Sequence, residues 1–196
     1  RYRANGGSVT GTPQQDIGSY TNNWNYQTGK KNLVNISSFG LSRIGYNRKD
    51  GAEWNTKADG SGKSFDQDVD YAMTDYAPNL TSGNRTVTLY AQWTPKVYTV
   101  TLNHQLSSPE AAGTGKIYEK YDTGWYLDQG CTRVLKDRND TNTVSIPKKT
   151  DYIFQGYYSA KTGGTQMING NKKLTSSGIN NYKTAQNAAW YAQYKY

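Results

Sequence analysis

Polar and apolar residues alternate most strictly in three stretches of this chain. In VYTVTLNHQ, Val97–Gln105, the residues Tyr98, Val100 and Leu102 alternate with Thr99 and Thr101. That period of two is the mark of a half-buried strand, because successive side chains leave a strand on opposite faces. In TVTLYAQWT, Thr86–Thr94, the residues Val87, Leu89, Ala91 and Trp93 point one way and Thr88, Tyr90 and Gln92 the other. AAWYAQYKY, Ala188–Tyr196, repeats the phrase with Trp190, Ala192 and Tyr194 set against Tyr191, Gln193 and Lys195. Both copies predict a closing strand with one apolar face. The small Ala between two large residues leaves room for a close opposing layer.

The repetition organises the whole chain. Tyr90 and Tyr191 lie 101 residues apart, and Tyr2 lies 100 residues before Leu102. The first copy opens on RYRANGG, which reads as the middle of a strand running into a tight turn at Asn5-Gly6. The expectation is a fragment of something longer, its first opening strand cut short. The middles match more loosely. Gly45-Tyr46 aligns with Asp151-Tyr152, and Trp54 aligns with Tyr157 or Tyr158. A polar, glycine-containing turn follows in each copy, at Asp59–Gly62 and at Thr162–Gly164. Two domains are expected, 1–95 and 96–196, joined at Thr94-Pro95-Lys96. So short a join, with proline restricting it, predicts a fixed angle between them.

Composition supports β-structure. Only 34% of the 196 residues are hydrophobic, but 18 Tyr, 5 Trp and 3 Phe supply bulky core material and argue against disorder. The formal charge is +8. Residues 1–95 hold 10 Lys and Arg against 8 Asp and Glu, a balance of +2; residues 96–196 hold 13 against 7, a balance of +6. The excess is spread out, in isolated pairs such as Lys30-Lys31, Lys148-Lys149 and Lys172-Lys173. Solubility is the simpler account of it; nucleic acid, an anionic glycan or an anionic cell wall are the partners it would suit. One cysteine, Cys131, excludes an internal disulfide and a two-cysteine metal knuckle. No apolar run approaches membrane-spanning length, and the opening residues carry no signal-peptide pattern.

Candidate chemistry is sparse. His104 is the only histidine, so any Ser-His-Asp or Cys-His arrangement would have to use it; a polar turn position is the simpler reading. Cys131 reads as a small buried or tolerated residue. Asp66, Asp68 and Asp70 open like a calcium loop, but Tyr71 and Ala77 stand where an EF-hand needs Gly and Glu. A solvated acidic edge is expected, and Asp137 and Asp140 read the same way. No phosphate-binding glycine loop occurs. The suggestive feature is aromatic. Trp24 and Tyr26 in NNWNYQ, and Trp125 and Tyr126 in TGWYLDQG, stand among amides and acids. Flat rings beside such groups suit sugar faces and hydroxyls. The competing reading, that these rings fill the core of a leucine-poor domain, is the simpler one.

Several motifs together resemble the Listeria–Bacteroides repeat family, also described as internalin B-repeat-like. They are Asn5-Gly6-Gly7, Gly45-Tyr46, Trp54 and Leu89–Trp93 in the first copy, and Tyr152–Tyr158 with Trp190–Tyr194 in the second. Gly115–Val134 looks like an insertion found in longer versions of this repeat, with Ser19–Val34 as its weak counterpart. The chain departs from the pattern where Glu53 replaces Gly before Trp54, and where the second copy lacks the Asn-Gly-Gly turn. The resemblance implies two tandem, small β-rich, β-grasp-like domains in an elongated arrangement. It also implies an extracellular location on a bacterial cell surface or cell wall, and no catalysis or cofactor. Two functions follow as expectations. The first is a monomeric stalk or spacer contacting neighbouring repeats of the parent protein. The second is an adhesive module binding a host glycan or matrix polymer, with Trp24, Tyr26, Trp125, Tyr126, Lys148, Lys149, Lys172 and Lys173 as contacts. Neither nucleic acid binding nor membrane insertion is expected.

Overall fold

The computed structural model describes residues 2–9, 30–32, 40–76, 87–135 and 142–196. These are mainly β, in several sheets, with two helices of four residues each. The chain divides into units Arg1–Thr94 and Pro95–Tyr196, each with its own hydrophobic cluster.

Unit 1 contains β1 (Tyr2–Arg3), β2 (Ser8–Val9), β3 (Lys30–Asn32), β4 (Leu41–Ser42), β5 (Tyr46–Arg48), β6 (Trp54–Asn55), β7 (Ser64–Phe65), β8 (Asp70–Ala72), α1 (Met73–Tyr76), β9 (Leu89–Ala91) and β10 (Trp93–Pro95). Its largest sheet has the order β1-β9-β6-β7. Unit 2 contains β11 (Val97–Asn103), β12 (Lys116–Lys120), β13 (Gly124–Tyr126), β14 (Ile153–Tyr158), β15 (Gln166–Asn169), α2 (Ser176–Ile179) and β16 (Ala188–Lys195). They form one sheet of order β13-β12-β11-β16-β14-β15.

Opening and closing strands pair in parallel in both units, and in the same register. Tyr2 faces Leu89 and Arg3 faces Tyr90; Leu102 faces Trp190 and Asn103 faces Tyr191. A parallel pair cannot be joined by a tight turn, so the rest of each unit lies between its two central strands. The hairpin on the other side of the closing strand matches too. Trp54 opposes Ala91 and Phe65; Tyr157 opposes Ala192 and Ile168. Trp54 therefore corresponds to Tyr157 rather than Tyr158. All six of these last-named residues are fully buried, and in unit 1 the rings of Tyr2 and Trp54 meet edge to face at 4.8 Å.

The recurring Tyr-Ala-Gln phrase has a physical reason. Gln92 Nε2 donates to Lys57 O at 3.3 Å, and Gln193 Nε2 donates to Ala160 O at 3.0 Å and Gly163 O at 2.7 Å. In both units this amide holds the turn beyond the hairpin strand. The next aromatic reaches the chain leaving the opening strand: Trp93 Nε1 donates to Ala4 O at 3.0 Å and Tyr194 Oη to His104 O at 2.7 Å. A second amide completes the closure. Asn5 Nδ2 donates to Ala58 O and Ala91 O, both at 2.8 Å; Gln105 Nε2 donates to Lys161 O at 2.9 Å and Ala192 O at 2.6 Å. Asn5 and Gln105 both have positive φ, 50° and 53°. Gln105 thus does in unit 2 what Asn5 does in the Asn-Gly-Gly turn of unit 1.

Another turn also corresponds. Gly45 and Asp151 have φ of 76° and 67°, and the next amide bonds three residues back, Tyr46 N to Arg43 O and Tyr152 N to Lys149 O, each at 3.1 Å. The departure at Glu53 is accommodated locally. Its counterpart before the buried aromatic, Gly156, has φ +143°, and a Cβ there would lie 2.3 Å from Ile168 O. Glu53 is not in the left-handed region. Its buried carboxylate accepts the Gly51 amide at 3.0 Å and the Gln67 amide at 3.2 Å. Beside it, burial lowers the Arg48 guanidinium to about 10 against the pull of Glu53, and that group lies over Trp54 and Trp93 at 4.7 and 5.0 Å.

The stretch expected as an insertion, Gly115–Val134, is part of the sheet of unit 2 in its first half and a turn in its second. It supplies β12 and β13, which extend the sheet beyond β11 and bury Ile117, Glu119 and Trp125. The counterpart stretch Ser19–Val34 lies outside the described residues except for β3.

Candidate functional site

The described surface offers an open groove of about 300 Å³ in unit 2, lined by Glu110, Ile146, Pro147, Lys148, Lys149, Thr150, Tyr152 and Phe154. Backbone pairing across the groove fixes its shape. Lys148 N donates to Ala111 O at 3.0 Å, and Glu110 N donates to Lys148 O at 2.8 Å. The left-handed turn at Asp151 then brings Tyr152 beneath Lys149, whose Nζ lies 5.3 Å from the ring centroid and donates to Ser107 O at 3.0 Å. Arg43 stands over Tyr46 in the corresponding turn of unit 1, at 3.9 Å. The apolar floor belongs to a row of rings. Tyr152 meets Tyr194 at 5.8 Å and Tyr196 at 4.6 Å, and Phe154 meets Tyr194 at 6.0 Å and Tyr157 at 5.1 Å.

Charge in the groove is uneven. Glu110 Oε1 accepts the Thr150 amide at 2.9 Å and also the Thr150 hydroxyl. Those bonds hold its carboxyl below the usual range, so it is ionised at neutral pH. Lys148 is exposed, and among the described residues its ammonium has no bonded partner. Burial raises the Tyr194 hydroxyl to about 12, which keeps it a donor to His104 O.

Of the lysines singled out in the sequence, Lys148 and Lys149 meet in this groove. Lys172 and Lys173 do not line it; they sit in the turn after β15, where exposed Lys172 has φ 68° and its N–H bonds Asn169 O at 3.0 Å. Trp125 requires a correction as a ligand contact. It is only 4% exposed, its ring lies 5.1 Å from Trp190, and its Nε1 donates to Ile179 O at 3.2 Å. A ring so enclosed presents no face to a sugar. Tyr126 lies on the edge strand β13, half-buried and paired with Tyr118. Trp24 and Tyr26 lie outside the described residues. Sequence reasoning missed Glu110, Thr150 and Phe154 as groove residues. The available signal was the adjacency of Lys148-Lys149 to Tyr152 and Phe154 within KKTDYIF.

Among the described residues no nucleophilic constellation surrounds His104. It is half-buried, with Nδ1 2.9 Å from the hydroxyl of fully buried Tyr157. Burial pushes the imidazole below its ordinary value and the Tyr157 phenol up. Cys131, expected as a small buried or tolerated residue, is a half-exposed turn residue with φ 54°. The Asp66 carboxylate accepts the Asp68 amide at 2.9 Å, capping a turn rather than gathering ligands. Among the described residues no three His, Cys, Asp or Glu side chains are grouped to hold a metal.

Against this background the comparisons with known proteins are silent: no family model, no curated protein and no solved structure matches the chain.

Proposed function

We propose that the chain is a pair of copies of one β-grasp-like module, serving as a non-catalytic, monomeric stalk or spacer of an extracellular bacterial surface protein. The observation that carries the module reading is the shared closure. A left-handed amide residue, the Gln of Tyr-Ala-Gln and the aromatic after it make equivalent side-chain-to-backbone bonds in both units. The β-grasp likeness rests on a parallel central pair flanked by antiparallel partners; among the described residues no long helix crosses the sheet. The bacterial surface location rests on the resemblance of the motifs in the chain.

A unit that completes its own core can be strung with others, and repetition then gives reach. Small-angle scattering tests the spacer reading. Two units set end to end predict a radius of gyration of about 20 Å or more, whereas a single rounded body of this length would give about 16 Å. The smaller value would overturn the spacer reading.

A further inference from the structure

The geometry points to the groove at Lys148–Phe154 as a binding site for one acidic sugar residue of an anionic polysaccharide. It goes beyond the spacer reading and does not depend on it. Three features of the groove bear on its ligand. Lys148 presents an exposed ammonium with no bonded partner among the described residues, and the unit around it carries the larger share of the basic excess of the chain. That charge suits a carboxylate or sulfate. Tyr152 and Phe154, with Pro147 and Ile146, supply the flat and apolar wall on which the C–H face of a sugar ring rests. Glu110 and Thr150 bring a carboxylate and a hydroxyl to the same lining, and Glu110 Oε2 has no bonded partner among the described residues. A carboxylate acceptor suits the hydroxyls of a sugar.

Glu110 favours a hydroxyl-rich sugar chain over a phosphate backbone. Its carboxylate accepts from hydroxyls, which an acidic sugar keeps beside its charged group and which a DNA backbone, with one charge per nucleotide, offers hardly at all. The volume of about 300 Å³ is at the low end for small-molecule sites. It suits a single ring, and the open side lets the polymer run on in both directions. Unit 1 keeps the cation–aromatic pair, Arg43 over Tyr46, but the strand pairing that puts Lys148 across from Ala111 puts Ser42 across from Ser8. Among the described residues, the lysine at this pairing position is thus found in unit 2, with a serine in its place in unit 1.

The test is titration calorimetry of the 196-residue chain at low and physiological salt. The probes are a heparin-derived octasaccharide (sulfated), hexagalacturonate (carboxylated), maltohexaose (neutral) and oligo-dT. The inference expects binding of an acidic saccharide. It expects Lys148→Glu to weaken that binding roughly ten-fold, and Lys172→Glu, the same charge change outside the groove, by less than about three-fold. Tyr152→Leu, checked for folding by its melting curve, is expected to weaken binding at both salt concentrations, whereas the lysine effect shrinks with salt. Which acidic saccharide binds identifies the sulfate or carboxylate source. Equal losses from Lys148→Glu and Lys172→Glu would reduce the site to diffuse charge and overturn it. So would tighter binding of oligo-dT, equal binding of maltohexaose, or no binding of any saccharide at low salt.

Discussion

Glu119 shows how a single side chain can work against its own unit. It is fully buried on β12, where its carboxylate accepts the Thr184 amide at 3.1 Å and the Thr184 hydroxyl at 2.5 Å. Burial raises its pKa, and the Thr184 bonds only partly offset that. An acid whose folded pKa exceeds its unfolded value stabilises the fold fully below the unfolded pKa. That contribution is lost as pH rises through the folded value. Unit 2 is therefore expected to be more stable on the acid side of this titration than at neutral pH, as far as Glu119 governs it. Glu119→Gln keeps an acceptor for the Thr184 amide and removes the charge, so it should flatten that pH dependence and leave neutral stability equal or higher. Glu119→Ala strands the Thr184 donors and should cost about 1–3 kcal/mol. Denaturant melts between pH 4 and pH 8 check both; a steeper pH dependence in Glu119→Gln would contradict the account. KIYEK places Glu119 on the same strand face as Ile117, but nothing local gives a reason to bury a carboxylate there; its partner Thr184 lies 65 residues away.

Among the elements, the closing strand matters most, since it pairs with the opening strand on one side and the hairpin on the other. Gln193 acts from β16 as a pure donor toward two carbonyls of the turn between β14 and β15. Gln193→Ala should cost about 1–2 kcal/mol, and Gln193→Glu more, because a carboxylate would face carbonyl oxygens it cannot bond. Equal stability of the two variants by urea denaturation would show that the amide is not the link. The strands with one apolar face were legible in the sequence because period-two alternation survives in Val97–Asn103 and in both Tyr-Ala-Gln phrases. The correspondence of Asn5 with Gln105 was not. Asn is a familiar left-handed residue and Gln is not, so the second turn is visible only through the bonds that hold it. For Trp125 the simpler core reading, weighed in the sequence against a sugar contact, is the one its burial fits. Its polar neighbours are turn residues, while its own position on β13 points inward.

For the whole molecule, the account makes each unit self-sufficient. Closure bonds and buried clusters fall within Arg1–Thr94 or within Pro95–Tyr196. Division into two parts was readable from the spacing of the repeated phrase. The groove was only half readable, since Lys148 and Lys149 stood out by charge whereas Glu110 reaches them through a pairing of Ala111 with Lys148 that no local pattern encodes. Self-sufficiency is tested most directly by expressing residues 95–196 alone and overlaying its amide NMR spectrum on that of the full chain. The account predicts a dispersed spectrum whose peaks coincide with those of the full chain except near Pro95. A collapsed spectrum, or peaks displaced throughout β11, β14 and β16, would show that the second unit cannot close its own core.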